Sequence, residues 1–142
     1  MSVIKALLLT DVVDSTRLAE KLGDSAMAEI WAAHDRVSRA LLVRWRGREI
    51  DKTDGMLLLF DNCADAVGYA MEYHPALAAL PTPLAARVGL HVGPVTLREN
   101  APDDIARGAK PLEVEGLAKP ITARVMALAR GGQTLLSAAA RE

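Results

Sequence analysis

Two extended runs, Arg48–Lys52 and Met56–Phe60, flank Thr53-Asp54-Gly55. Asp-Gly between such runs is a hairpin signal, so the two strands should be antiparallel neighbours. Hairpins in place of helical crossovers exclude a doubly wound sheet, and no Gly-rich dinucleotide fingerprint follows the first strand. That first strand is Val3–Thr10, an apolar run with no helical spacing of polar residues. Leu84–Val92 reads as another strand, turned by Gly93-Pro94 into Val95–Leu97, and Thr134–Ser137 as a last one.

Helices fill the intervals. Asp14, Ser15 and Thr16 are N-cap candidates for a helix through Leu18, Ala19 and Leu22 that Gly23 ends. Met27, Ile30, Trp31, His34, Val37, Ser38 and Leu41 trace one face of a second, running from Asp24 or Ser25 to about Trp45. Asp61-Asn62 caps a third, with Ala66, Tyr69, Ala70, Tyr73 and Leu77 at helical spacing. Pro120 opens a fourth, which continues through Arg124, Val125 and Leu128 to Gly131-Gly132. Residues 98–112 read as a long loop. The order β-α-α-β-β-α-β-(β)-α-β predicts an α+β, ferredoxin-like sandwich with a mixed, mainly antiparallel sheet and helices packed on it.

A length of 142 residues suits one domain, and 25 Ala and 20 Leu against five aromatics predict helices packed through small side chains. A net charge of −1 argues against a nucleic-acid binder working by counterion release. The densest basic stretch, Arg39, Arg44, Arg46 and Arg48, reads as a solvated helix end. The longest uncharged segment, Tyr73–Ala86, carries three prolines and is too short for a bilayer, so no membrane insertion is expected. No signal-peptide pattern precedes the first strand, and the single Cys63 forms no internal disulfide; both fit a cytoplasmic protein.

The chemistry concentrates on two aspartates. Asp11 ends the first strand just before a helix N-terminus, and Asp54 sits in the hairpin turn; in a ferredoxin-like sheet these strands are neighbours. Convergent carboxylates suit Mg²⁺, which usually takes one or two of them together with substrate phosphate. The peptide N–H groups of Val12, Val13, Asp14, Ser15 and Thr16 are placed to cradle phosphate oxygens. Turn geometry and helix capping would each favour the same residues without any ligand.

The blocks TDVVDSTRLAEKLGD (10–24), HDRVSRALL (34–42), REIDKTDGMLLLF (48–60), ARVGLHVGPV (86–95) and ARVMALARGGQTLLS (123–137) resemble the class III nucleotide cyclase homology domain, in the family's order and over nearly the whole chain. The resemblance implies one such domain over residues 1–142. It would work as a homodimer with sites at the subunit interface, converting ATP, or as second choice GTP, to the 3′,5′-cyclic monophosphate and pyrophosphate in cyclic-nucleotide signalling. It implies two Mg²⁺ or Mn²⁺ per site, held by Asp11, Asp54 and the Val12 carbonyl, a phosphate loop over Val12–Thr16, Lys52 and Glu113 on the purine edge, and Arg124 stabilising the transition state from the other subunit.

Three departures set up an alternative. Lys52 and Asp54 are two positions apart where the family has four; removing two residues keeps the side-chain face, so Lys52 is still expected to aim at the base pocket. Pro120 stands where the family has a ribose-orienting asparagine. The family's domain is also usually longer, with a further basic residue near its end, whereas this sequence stops at Arg141-Glu142; further domains in the full-length protein are expected. The alternative is a degenerate cyclase-like module that binds nucleotide weakly, or only dimerises and regulates other domains. A diguanylate cyclase is a remote third reading, since its Gly-Gly-Asp/Glu-Glu-Phe turn is absent. His91 is expected to be a satisfied core or interface residue, and His34 and His74 lack ligand spacing.

Overall fold

The apolar run in the first strand is what a strand buried on both faces requires, and the computed structural model, which describes residues 2–141, places it at the centre of the sheet. Strand β1 (Ser2–Val12) pairs antiparallel with β3 (Met56–Phe60) on one side and β4 (Ala86–Glu99) on the other. Strand β2 (Arg48–Lys52) forms the expected hairpin with β3, and the order β2-β3-β1-β4 is the ferredoxin-like one.

Alternation along β1 and β3 divides the core. Ala6, Leu8, Val12, Met56, Leu58 and Phe60 face helices α2 (Asp24–Arg44) and α3 (Cys63–Ala78), where Tyr69, Tyr73 and Leu77 are fully buried. Leu7, Leu57 and Leu59 face the other side, under β5 (Leu112–Glu115) and the start of α5 (Ala118–Ala127). Helix α5 lies close on β4: a Cβ at Gly89 would come within 2.3 Å of the Met126 nitrogen. Helix α1 (Ser15–Leu22) ends at Gly23, and Asn62 caps α3 by accepting from the Asp65 N–H at 2.8 Å.

Several expectations are corrected. Gly93-Pro94 makes no turn, and β4 runs through it. Its outer edge pairs with β6 (Thr134–Leu136) at Val88–Leu90 and with β5 at Thr96–Glu99, so Pro94 falls between the two ladders, where a missing N–H breaks no bond on that edge. Residues 98–112 are not a structureless loop. They hold the end of β4, a short helix α4 (Pro102–Ala106) and the start of β5, which completes a second hairpin. Helix α5 begins at Ala118, with Pro120 third rather than first. A final turn, α6 (Ala138–Arg141), was not legible. No helix among the described residues is long and apolar enough to cross a membrane.

Candidate functional site

At the end of β1 the chain turns into α1 while the β2–β3 turn is pressed against it. A Cβ at Gly55 would lie 1.9 Å from the Thr10 carbonyl oxygen, so only glycine lets the turn come so near. The Met56 N–H donates to Thr10 Oγ1 at 2.9 Å, and the Val12 N–H to the Asp54 carbonyl at 3.1 Å. The backbone segments bearing Asp11 and Asp54 are therefore locked together by bonds from the residues beside them.

Asp11 is half-buried and pairs across the sheet with Arg87, whose guanidinium donates to its Oδ2. Ser15 Oγ donates to Asp54 Oδ2 at 3.2 Å. Val12 is buried in the core, and the Val13 N–H donates to the Ala85 carbonyl at 2.9 Å. Asp14 occupies the predicted N-cap position in the left-handed region (φ 58°), which aspartate tolerates, but its side chain makes no capping bond. Thr16 is exposed. The first turn of α1 thus has neither a side-chain cap nor an acidic residue.

Asp11, Val12, Ser15 and Asp54 are thus assembled at one sheet end, together with Arg87, which sequence reasoning missed. The available signal was register, since β1 and β4 pair as antiparallel neighbours and Arg87 falls opposite Asp11.

The other predicted residues form no hydrogen bond or ion pair with this group. Register in the β2–β3 hairpin shifts between Glu49 and Asp51, leaving Ile50 as the extra, bulged residue. Directly opposed residues share a face, so Lys52, opposite Met56, faces the α2–α3 side, and Asp51, opposite Leu57, faces the α5 side. The bulge reverses the expected direction of Lys52. Its Nζ lies 3.4 Å from Asp35 Oδ2 and 5.6 Å from the Trp31 ring centroid, both on α2.

Glu113 accepts from Asn100 Nδ2 at 3.1 Å and pairs with Lys110 at 3.1 Å, and these partners, Lys110 foremost, hold its carboxyl below the usual range. Lys110 also reaches Asp51 at 3.5 Å. Arg124 is exposed on α5, with no hydrogen bond or ion pair among the described residues. A cavity of about 390 Å³ opens between the hairpin and α5, with Leu9, Asp51, Leu57, Lys119, Pro120 and Ala123 in its wall. Lys52 also contributes to that wall, although its ammonium meets α2.

The histidines are all engaged: His91 with Ser137 Oγ at 2.7 Å, His74 with Thr134 Oγ1 at 2.7 Å, and His34 with Tyr73 and Asp35. Burial lowers the pKa of each. No cluster of three or more His, Cys, Asp or Glu is arranged for a metal among the described residues. A metal here would therefore rest on the two aspartates, backbone carbonyl and substrate oxygens, a hard-oxygen set of the kind Mg²⁺ accepts.

The fold is that of the adenylyl and guanylyl cyclase catalytic domains. The chain superposes on adenylate cyclases from Trypanosoma brucei in their monomeric state with TM-score 0.84 at 23% identity, over 96% of this chain and 74% of that one. It matches the guanylate cyclase domain of RhGC from Catenaria anguillulae in complex with GTP at TM-score 0.86 and 15% identity, over 96% and 79%. The adenylyl cyclase CyaB from P. aeruginosa matches at TM-score 0.82 and 16% identity, over 99% and 80%. In sequence, no family model and no curated protein matches the chain. Likeness at these identities is likeness of fold.

Proposed function

We propose that this domain is a nucleotide cyclase, converting ATP or GTP to the 3′,5′-cyclic monophosphate and pyrophosphate at sites shared between two copies of the chain. The observation that carries the reading is the assembly of Asp11, Ser15, Asp54 and Arg87 beside the uncapped N-terminus of α1. Two carboxylates beside N–H donors and a guanidinium suit a metal-bound triphosphate.

Asp11 and Asp54, with the Val12 carbonyl, would hold two Mg²⁺ or Mn²⁺; such ions, when bound, acidify the ribose 3′-hydroxyl and neutralise phosphate charge. The α1 N–H groups hold the triphosphate. Arg87 is released to phosphate oxygens once its carboxylate partner is engaged elsewhere. In the reaction the 3′-oxygen bonds to the α-phosphorus, the bond to the bridging oxygen of pyrophosphate breaks, and the hydroxyl proton passes to solvent. Arg124 of the partner subunit supplies planar donors to the developing charge at any ordinary pH. Its exposure and lack of hydrogen-bond or ion-pair partners among the described residues support a role across an interface. Cytoplasmic signalling, with further domains supplying the input, is the setting this reading implies.

Pro120 favours the second reading, a degenerate module, because it puts no hydrogen-bonding side chain on the cavity wall. Mixing decides between them. Asp11→Ala and Arg124→Ala should each be inactive, while an equimolar mixture should recover about a quarter of wild-type turnover, since half the dimers are mixed and each carries one intact site. Wild-type protein that dimerises yet makes no cyclic product from either nucleotide would establish the degenerate module.

A further inference from the structure

We infer that Lys52 is a positioning residue that fixes the Asp54 turn to helix α2, and that it does not read the base. The inference rests on the proposed role of Asp54. Lys52 is the last residue of β2, two positions before Asp54. Its ammonium is held between the Asp35 carboxylate, at 3.4 Å, and the Trp31 ring, at 5.6 Å, with its side chain 32% exposed.

Asp35 is in turn fixed from the core. His34 Nδ1 lies 3.0 Å from Asp35 Oδ1, and His34 Nε2 lies 2.7 Å from the Tyr73 hydroxyl, both rings being fully buried. A carboxylate only accepts, so Nδ1 carries the proton and Nε2 accepts from Tyr73. The row Tyr73–His34–Asp35–Lys52 thus runs from the centre of the core to the edge of the turn. Ser15 holds the same turn from α1 through Asp54 Oδ2. The turn is pinned to two helices, and the bulge at Ile50 is what directs Lys52 toward one of them.

The test compares Lys52→Met, Lys52→Arg and wild type in two independent measurements. In amide hydrogen exchange, the Val12 and Thr53 N–H groups, which donate to the Asp54 and Gly55 carbonyls, report the turn directly. Lys52→Met should speed both by about three- to tenfold, as loss of an ion pair and a cation–π contact would, while Leu90 in mid-β4 is unchanged. Lys52→Met should have a smaller effect in an Asp35→Asn background than in wild type, because only the Trp31 contact is then left to lose. In turnover, Lys52→Met should lower kcat/KM for ATP and GTP by one common factor and raise the half-saturating Mn²⁺ by a similar one, with Lys52→Arg largely restoring both.

A changed ATP-to-GTP ratio with unaltered exchange would overturn the inference and return Lys52 to the base. Wild-type protein inactive on both nucleotides would defeat the cyclase reading, and the exchange data alone would then decide whether Lys52 pins the turn.

Discussion

Asp11 and Arg87 oppose each other across the β1–β4 ladder and form an ion pair at the sheet end where a metal-bound triphosphate would sit. The side chains are 31% and 34% exposed, so the pair is neither a solvated surface contact nor a fully desolvated one. Arg87 therefore competes with any cation for the Asp11 oxygens. Arg87→Met should tighten Mn²⁺ binding in the absence of nucleotide by about three- to tenfold, the scale of a half-exposed ion pair. Isothermal titration calorimetry reads this directly, and weaker binding in the variant would contradict it.

The Asp54 turn should be intolerant of any added atom. Gly55→Ala puts a methyl 1.9 Å from the Thr10 carbonyl, which is backbone and yields only if the hairpin lifts from β1. We expect destabilisation of about 2 kcal/mol or more in urea denaturation, in the range of overpacked cores. By contrast Ser15→Ala, which removes one exposed 3.2 Å hydrogen bond to Asp54, should cost about 1 kcal/mol or less in stability.

Pro120 stands at the third position of α5, where a backbone N–H has no intrahelical acceptor, so replacing it by asparagine disturbs no helical bond. Pro120→Asn should leave the melting temperature within about 2 °C of wild type. If an orienting side chain is what the cavity wall lacks, turnover should rise by about tenfold or more.

Burial lowers the pKa of all three histidines, with His34 the most enclosed. A histidine whose folded pKa is depressed contributes stability that is fully present above its unfolded pKa, about 6.5, and is lost as pH falls below that value. Thermal melts should therefore be flat from pH 8 to about 7 and fall progressively between about pH 6.5 and 5. Asp65 and Glu113, held low by Arg46 and Lys110, act in the same direction only at more acidic pH. A melting temperature that rises on acidification through pH 6 would show the histidines to be charged in the fold.

The fold was legible wherever period and turn chemistry agreed: the two-faced apolar run of β1, the 3/4 spacing of α2 and α3, and Asp-Gly between β2 and β3. It was misread where a residue's usual meaning depends on what lies beside it. Pro94 is harmless inside β4 because the neighbouring edge has a gap at that point, a fact of topology rather than of local sequence. The bulge at Ile50 has no local signal, since isoleucine is an ordinary strand residue, yet it decides which side of the sheet receives Lys52. The places of Asp11 at a strand end and Asp54 in a hairpin turn could be read from position alone. Arg87 could not, because its partner is 76 positions away.

On the proposed function, Asp11 and Asp54 serve phosphoryl chemistry on a nucleoside triphosphate. The most direct test is cyclic nucleotide formation from ATP and from GTP with Mn²⁺, followed by chromatography, for wild type and Asp11→Ala. Wild type should yield a cyclic monophosphate and pyrophosphate from at least one nucleotide, and the variant none. No product from dimeric wild-type protein, or equal product from both proteins, would contradict the proposed function.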